Sequence, residues 1–218
     1  MANFGVIFDM DGVIVDNHHY HYRAWQAMFE KYRLEITEKE YKDSINGRTL
    51  PEILAYIFKK EITPDELLQY GTEKESLYRE LYRPDVVPVL GLTNFLDVLK
   101  AHKIPVAVGT SSTQDNIDFT LELTNTKHYF DKVIDGSMVT NGKPHPEVYL
   151  QAAKTLDMPA EKCVVFEDAL SGIEAAKRAG CKVVALATTH PREELSHADL
   201  VIDDFTSLDL DQIEQLFL

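Results

Sequence analysis

The sequence predicts a doubly wound α/β fold, a parallel sheet with helices on both faces, interrupted early by an all-helical insertion. Three observations carry this. Six short runs rich in β-branched residues are mostly apolar without alternation, which marks strands covered on both faces. Helical patterns separate most of these runs, and strand–helix–strand repetition builds a parallel sheet. Between the first run and the second, residues 17–87 contain no convincing strand, a stretch far longer than the roughly dozen residues a crossover needs.

Taken in order, Phe4–Phe8 (FGVIF) is the first strand. In the insertion, Tyr20, Ala24, Trp25, Met28, Phe29 and Tyr32 recur at the spacing of one helix face. Leu50, Ile53, Leu54, Ile57 and Phe58 repeat that spacing. Leu67, Leu68, Leu77, Leu81 and Tyr82 repeat it again, with Pro64 at a helix start and Gly71 as a weak point. Linkers near Asp16–Asn17 and Pro84–Pro88 divide the chain into a core domain of residues 1–16 and 88–218 and a helical cap of residues 17–87. Two hinges beside the first strand end make a lid that can open and close. Helix Leu92–His102 leads to a strand at Pro105–Val108, and helix Gln114–Leu123 to a strand at Lys132–Ile134. Helix Pro146–Leu156 leads to Cys163–Phe166, and helix Leu170–Ala179 to Val183–Ala187. Strand Leu200–Ile202 and helix Leu208–Phe217 complete the pattern, with right-handed crossovers expected.

Charge narrows the function classes. The 218 residues hold 22 basic and 36 acidic side chains, a net charge of −14. So acidic a chain does not present the basic surface that general nucleic-acid or anionic-membrane binding needs. No apolar run reaches the ~18–20 residues of a membrane span, and the opening Met-Ala-Asn-Phe lacks the basic start of a signal peptide. Cys163 and Cys181 are too few for a disulfide framework and read as buried reduced thiols. A soluble cytoplasmic protein is expected, and a monomer, because no long exposed apolar stripe remains.

In open α/β sheets, ligands bind beyond the carboxyl ends of the strands, so the residues closing each strand come first. Asp9-Met10-Asp11-Gly12 follows the first strand and Gly109-Thr110-Ser111-Ser112 the second. Gly142-Lys143-Pro144 follows the third, and Glu167-Asp168 ends the fourth. Packed carboxylates repel one another, and a hard divalent cation such as Mg²⁺ relieves that repulsion. A carboxylate beside such an ion can attack phosphorus, and a second one two residues on can shuttle the proton. Hydroxyl, ammonium and backbone N–H donors can hold the phosphoryl charge. Taken singly, each motif has a plainer reading: Asp9 as a turn or cap residue, Glu167-Asp168 and Thr110-Ser111-Ser112 as helix caps, Lys143 as a solvated loop cation. Their joint occurrence, each closing its own strand in chain order, favours a site.

Val6-Ile7-Phe8-Asp9-Met10-Asp11-Gly12-Val13-Ile14 resembles the first motif of the haloacid dehalogenase-like superfamily. Thr110, Lys143 and Glu167-Asp168 fall where the later motifs stand, and Glu167-Asp168-Ala169-Leu170-Ser171-Gly172-Ile173 is a specific match. The resemblance implies that Asp9 is a nucleophile and Asp11 a general acid/base. It implies phosphoryl binding by Thr110, Ser111 and Lys143, and Mg²⁺ held by Asp9, the Asp11 carbonyl and Asp168, with Glu167 as a further ligand, direct or through water. Asp11 argues against dehalogenation, which needs neither a metal nor a proton donor for a poor leaving group.

Within that superfamily, Tyr20-His21-Tyr22-Arg23-Ala24-Trp25 and the setting of Lys74 resemble the β-phosphoglucomutase-like branch, which implies that His21 and Lys74 serve cap closure or substrate binding. Gly47 and Arg48 are the other candidate cap contacts. Trp25 reads as a core aromatic, and His21 either as a packing partner or as a functional group. His18-His19-x-His21 lacks a convincing third zinc ligand. The branch's further cations are missing: Leu50 follows Gly47-Arg48-Thr49 where an Arg is expected, and Thr113-Gln114 replaces a Lys-Asn pair. The expectation is therefore a Mg²⁺-dependent phosphohydrolase acting on a small phosphorylated metabolite such as a sugar phosphate. A phosphosugar mutase is the alternative, and a non-catalytic α/β binding module the remote one.

Overall fold

A computed structural model describes residues 4–41 and 49–218, the side chain at 38 excepted. The chain divides into two compact units, residues 1–16 with 86–218 and residues 17–85.

The first unit is built on a six-stranded sheet in the order β3-β2-β1-β4-β5-β6. Its strands are β1 (Gly5–Phe8), β2 (Val106–Gly109), β3 (Lys132–Ile134), β4 (Cys163–Glu167), β5 (Lys182–Leu186) and β6 (Leu200–Ile202). Every pairing is parallel. The burial expected from the unalternating sequences is present, with β1, β2 and β4 buried at every residue. On one face Phe8 and Phe166 stack at 4.8 Å and pack with Phe95 and Phe205. On the other, Ile7, Ala107, Val165 and Val183 share a core with Val148, Tyr149 and Ala152 and with Ile173, Ala175 and Ala176. That alternation follows from the two-residue period of a strand. Strand order reverses between β1 and β4, so a crevice opens at their carboxyl ends.

The second unit is helical among its described residues: α1 (His18–Lys31), α2 (Glu38–Glu40), α3 (Leu50–Phe58) and α4 (Pro64–Tyr82). Its core gathers Trp25, Met28, Phe29, Tyr41, Ile53 and Leu54, so Trp25 is the core aromatic its spacing implies. Capping boxes Thr49/Glu52 and Thr63/Glu66, each with a proline in the first turn, set the starts of α3 and α4. α4 runs unbroken through Gly71 for 19 residues. A Cβ at 71 would come within 2.8 Å of Leu50 Cδ2, the end of a side chain on α3.

The remaining helices belong to the first unit: α5 (Leu92–Ala101), α6 (Gln114–Leu123), α7 (Glu147–Thr155), α8 (Leu170–Ala179) and α9 (Leu210–Gln215). The last starts later than its apolar pattern, because Asp209 caps it by accepting from Gln212 N–H at 2.9 Å. Among the described residues no helix is long and apolar enough to cross a membrane.

Candidate active site

The sheet register brings the acidic residues together. Phe8 lies opposite both Phe166 and Val108, so Asp9, Glu167 and Gly109 stand one step further on, at one level of three adjacent strands. The Asp9 N–H donates to the Phe166 carbonyl at 2.9 Å, which continues the ladder to Asp9. The loop after β3 carries Lys143, whose Nζ lies 3.0 Å from Asp9 Oδ1 and 2.6 Å from Glu167 Oε1. Glu167 is fully buried. Its Oε1 also accepts from the Tyr149 hydroxyl at 2.7 Å, and its Oε2 accepts from the N–H groups of Asp168 and Ala169 at 2.8 and 2.9 Å. Gly172, in the first turn of α8, leaves the space this carboxylate fills, since a Cβ there would collide with it.

Asp168 is buried and accepts from the Thr189 hydroxyl. Gly12 packs beneath it at a positive φ of 74°, where any Cβ would strike the Asp168 carboxylate. The Thr188 hydroxyl donates to the Gly12 carbonyl at 2.6 Å, which ties the loop after β5 to the loop after β1. Asp11 is half-buried and accepts from the Ser112 hydroxyl. Thr110 is buried, and its hydroxyl oxygen accepts from Ser112 N–H at 3.1 Å. Ser111 is exposed.

One oxygen each from Asp9, Glu167 and Asp168 lie within 4.8 Å of one another, all three residues buried. Burial raises Asp9 from an ordinary 3.8 to about 7, Lys143 opposing the rise and Glu167 and Asp11 adding to it. Burial, then Glu167 and Asp9, push Asp168 well above the usual carboxylate range. Burial also works against the Glu167 charge, but Lys143 and the hydrogen bonds it accepts outweigh that and hold it below its ordinary value. Burial alone would pull Lys143 down, yet Asp9 and Glu167 keep its ammonium above the ordinary lysine range. Three buried carboxylates thus face one ammonium. Asp9 Oδ1 accepts no aligned hydrogen bond from any described group. A hard divalent cation fits this donor set: all-oxygen, anionic, desolvated and undercompensated.

Of the residues expected in the site, the structure joins Asp9, Lys143 and Glu167 through direct contacts, places Asp168 within 4.8 Å of the other two carboxylates, and joins Asp11 to Thr110 through Ser112. His21 and Lys74 meet in the helical unit, Lys74 Nζ lying 2.6 Å from His21 Nδ1 and 2.9 Å from Glu75. Lys74 is buried, its ammonium 5.7 and 5.6 Å from the Trp25 and Tyr78 ring centroids. Gly47 and Arg48 lie outside the described residues. Among the described residues the histidines at 18, 19 and 21 join no metal-ligand group.

Tyr149, Thr188 and Thr189 contact the site residues although sequence reasoning assigned them no role, and Ser112, read only as a helix cap, does so too. Thr188 and Thr189 carry the same signal as the others, polar groups closing a strand. Tyr149 carries none, since an aromatic at the start of an amphipathic helix reads as core.

Residues 6–186 match the haloacid dehalogenase-like hydrolase family model. The chain is 33% identical over 178 residues to a phosphorylated carbohydrates phosphatase of Thermotoga maritima, covering 80% of this chain and 81% of that protein. It superposes with a TM-score of 0.92 on a HAD hydrolase of family IA, variant 3, from Entamoeba histolytica, at 31% identity and over 98% and 99% of the two chains. With β-phosphoglucomutase of Clostridium difficile the TM-score is 0.84 at 28% identity, covering 100% of this chain and 97% of that one. A family match across most of the sequence, on a sheet whose carboxyl edge gathers the motif residues, shows that this chain belongs to the haloacid dehalogenase-like hydrolases.

Proposed function

We propose that this protein is a phosphohydrolase that cleaves the phosphomonoester of a small phosphorylated metabolite, a sugar phosphate, through an aspartyl phosphate on Asp9. One observation carries the reading: the Asp9 carboxylate, at the carboxyl end of β1, shares a buried cluster with Lys143, Glu167 and Asp168, and a second carboxylate stands two residues on. The similarity to a phosphatase of phosphorylated carbohydrates supports the choice of substrate class.

In the proposed reaction an Asp9 oxygen attacks phosphorus as the ester P–O bond breaks, and Asp11 gives its proton to the departing alkoxide. Asp11 then takes a proton from water, which attacks the same phosphorus. The acyl-phosphate P–O bond breaks, and Asp9 is restored as inorganic phosphate leaves. Lys143, Thr110 and Ser111 hold the phosphoryl oxygens, where charge spreads in the transition state. Asp9, Asp168, the Asp11 carbonyl and Glu167, directly or through water, would hold Mg²⁺, which supplies charge neutralisation at the phosphoryl group. His21, Gly47, Arg48 and Lys74 are proposed to select the substrate, and KM values unchanged in both Arg48→Ala and Lys74→Ala across a substrate panel would remove them from that role. Two buried free thiols suit the reducing cytoplasm.

The test is phosphate release from a panel of sugar phosphates with Mg²⁺ present. Asp9→Asn should abolish turnover, and a variant that still turned over would sink the nucleophile assignment. Similarity to β-phosphoglucomutase favours a second reading, a phosphosugar mutase. Against it, position 50 is Leu, and Gln114 is neutral and bonded to Asp118 at 2.9 Å, so neither supplies a cation for a second phosphate. ³¹P NMR with β-glucose 1-phosphate and a trace of glucose 1,6-bisphosphate separates the two. Inorganic phosphate supports the hydrolase, and glucose 6-phosphate without it supports the mutase.

A further inference from the structure

We infer that Tyr149 is a positioning residue of this site, its hydroxyl orienting the Glu167 carboxylate and, through it, the Lys143 ammonium. The inference rests on the phosphohydrolase reading of the cluster. Glu167 has no exposed surface, so its orientation depends wholly on its donors. Two backbone N–H groups fasten Oε2. Oε1 takes the Tyr149 hydroxyl at 2.7 Å and Lys143 Nζ at 2.6 Å. The ammonium is not a fixed anchor, because Asp9 draws on it from 3.0 Å. Among the described residues, that leaves the phenol as the one side-chain donor committed to Glu167 alone.

The ring is held firmly. It is fully buried in the first turn of α7, and a side chain on Gly109 would lie 3.3 Å from its carbons. Its face lies 4.9 Å from Lys143 Nζ, close enough for a cation–π attraction. One side chain thus touches both partners of the Lys143–Glu167 pair, the hydroxyl on one and the ring on the other. Without the hydroxyl, Lys143 would be the sole donor at Oε1 and would lean further toward Glu167, away from Asp9 and the phosphoryl oxygens it is proposed to hold. Groups that orient ligand carboxylates in this way typically matter about 10- to 100-fold in metal affinity or rate.

The experiment compares the unaltered protein with Tyr149→Phe, which keeps the ring, and repeats the substitution in a Glu167→Gln background. Binding of Mn²⁺ alone is followed by electron paramagnetic resonance, and kcat/KM is measured on a hydrolysed sugar phosphate. Tyr149→Phe should weaken Mn²⁺ binding and lower kcat/KM by about tenfold, and should change neither further once Glu167 is Gln. Unchanged Mn²⁺ affinity and kcat/KM, or an equal loss in the Glu167→Gln background, would overturn the inference, because packing alone accounts for the second result. Should Tyr149→Phe not fold, 3-fluorotyrosine at 149 in the otherwise unaltered chain replaces it. Its ¹⁹F resonance should move when Mg²⁺ is added, and an unmoved resonance counts against the inference. A wild-type protein that binds Mn²⁺ but hydrolyses no phosphate ester would sink the functional reading, while the Mn²⁺ comparison would still decide the role of Tyr149.

Discussion

Glu167 occupies the volume that a side chain at position 172 would need, and this makes Gly172 the sharpest single-residue probe of the site. Gly172→Ala must push the carboxylate off Lys143 and Tyr149. Misplacing a reacting constellation by about 1 Å can cost on the order of 100-fold in rate, and a loss of that size is expected in kcat for phosphate release. A variant with wild-type kcat would show that Glu167 can move without consequence. Asp9, Lys143, Glu167 and Asp168 were legible because each closes a strand or the loop after it, and strand ends in a parallel sheet converge. Tyr149, the other side chain that donates to Glu167, was not legible. Tyr149 stands 18 residues from it in the chain, and only the packing of α7 on the face opposite Phe8 brings the two together.

At the level of elements, α1 and α4 hold an unusual buried charge. Lys74 is paired with Glu75 and His21, and His21 itself stacks on Tyr78 at 4.1 Å. Replacing a buried ion pair by an apolar group of similar volume is often neutral or stabilising, because the desolvation penalty disappears with the charge. Here Glu75 is about a quarter exposed, and water can replace its partner. Lys74→Met is therefore expected to leave stability within about 1 kcal/mol of wild type, or to raise it. Chemical denaturation measures this, and a loss of 3 kcal/mol or more, on the order of that for breaking a buried pair, would mark Lys74 as structural. Apolar spacing located α1, α3 and α4 in the sequence. It overran α9, whose start is set by the Asp209 cap.

For the molecule as a whole, the buried cluster links stability to pH and to metal. Burial pushes Asp9 up from an ordinary 3.8 to about 7, and Asp168 well above its usual range. The folded state then retains protons that the unfolded chain has already released, so this contribution to stability falls as pH rises from about 4 to 7. Glu167 shifts the other way, and its contribution is lost only as pH falls through the acid range below its ordinary value. A divalent ion needs the carboxylates ionised and competes with those protons. Mg²⁺ should accordingly raise the thermal midpoint more at pH 8 than at pH 5, as differential scanning fluorimetry with and without EDTA would read. An equal shift at both pH values, or none, would separate the metal from Asp9 and Asp168.

The fold class, the helical insertion and the acidic motif positions were determined by local features of the sequence: unalternating apolar runs, helix-face spacing, and polar residues closing strands. Such features are written within a few residues of one another, and sheet topology does the rest. What the tertiary structure decided is how the site residues are held. The hydroxyls of Tyr149, Thr189 and Ser112, on three separate segments, settle on Glu167, Asp168 and Asp11, and Gly172 and Gly12 clear the space for two of those carboxylates. These choices depend on side chains distant in the chain sharing a volume of a few ångströms. Burial and mutual repulsion then shift Asp9 and Asp168 away from their ordinary values, while Lys143 holds Glu167 below its own, effects that no residue carries on its own.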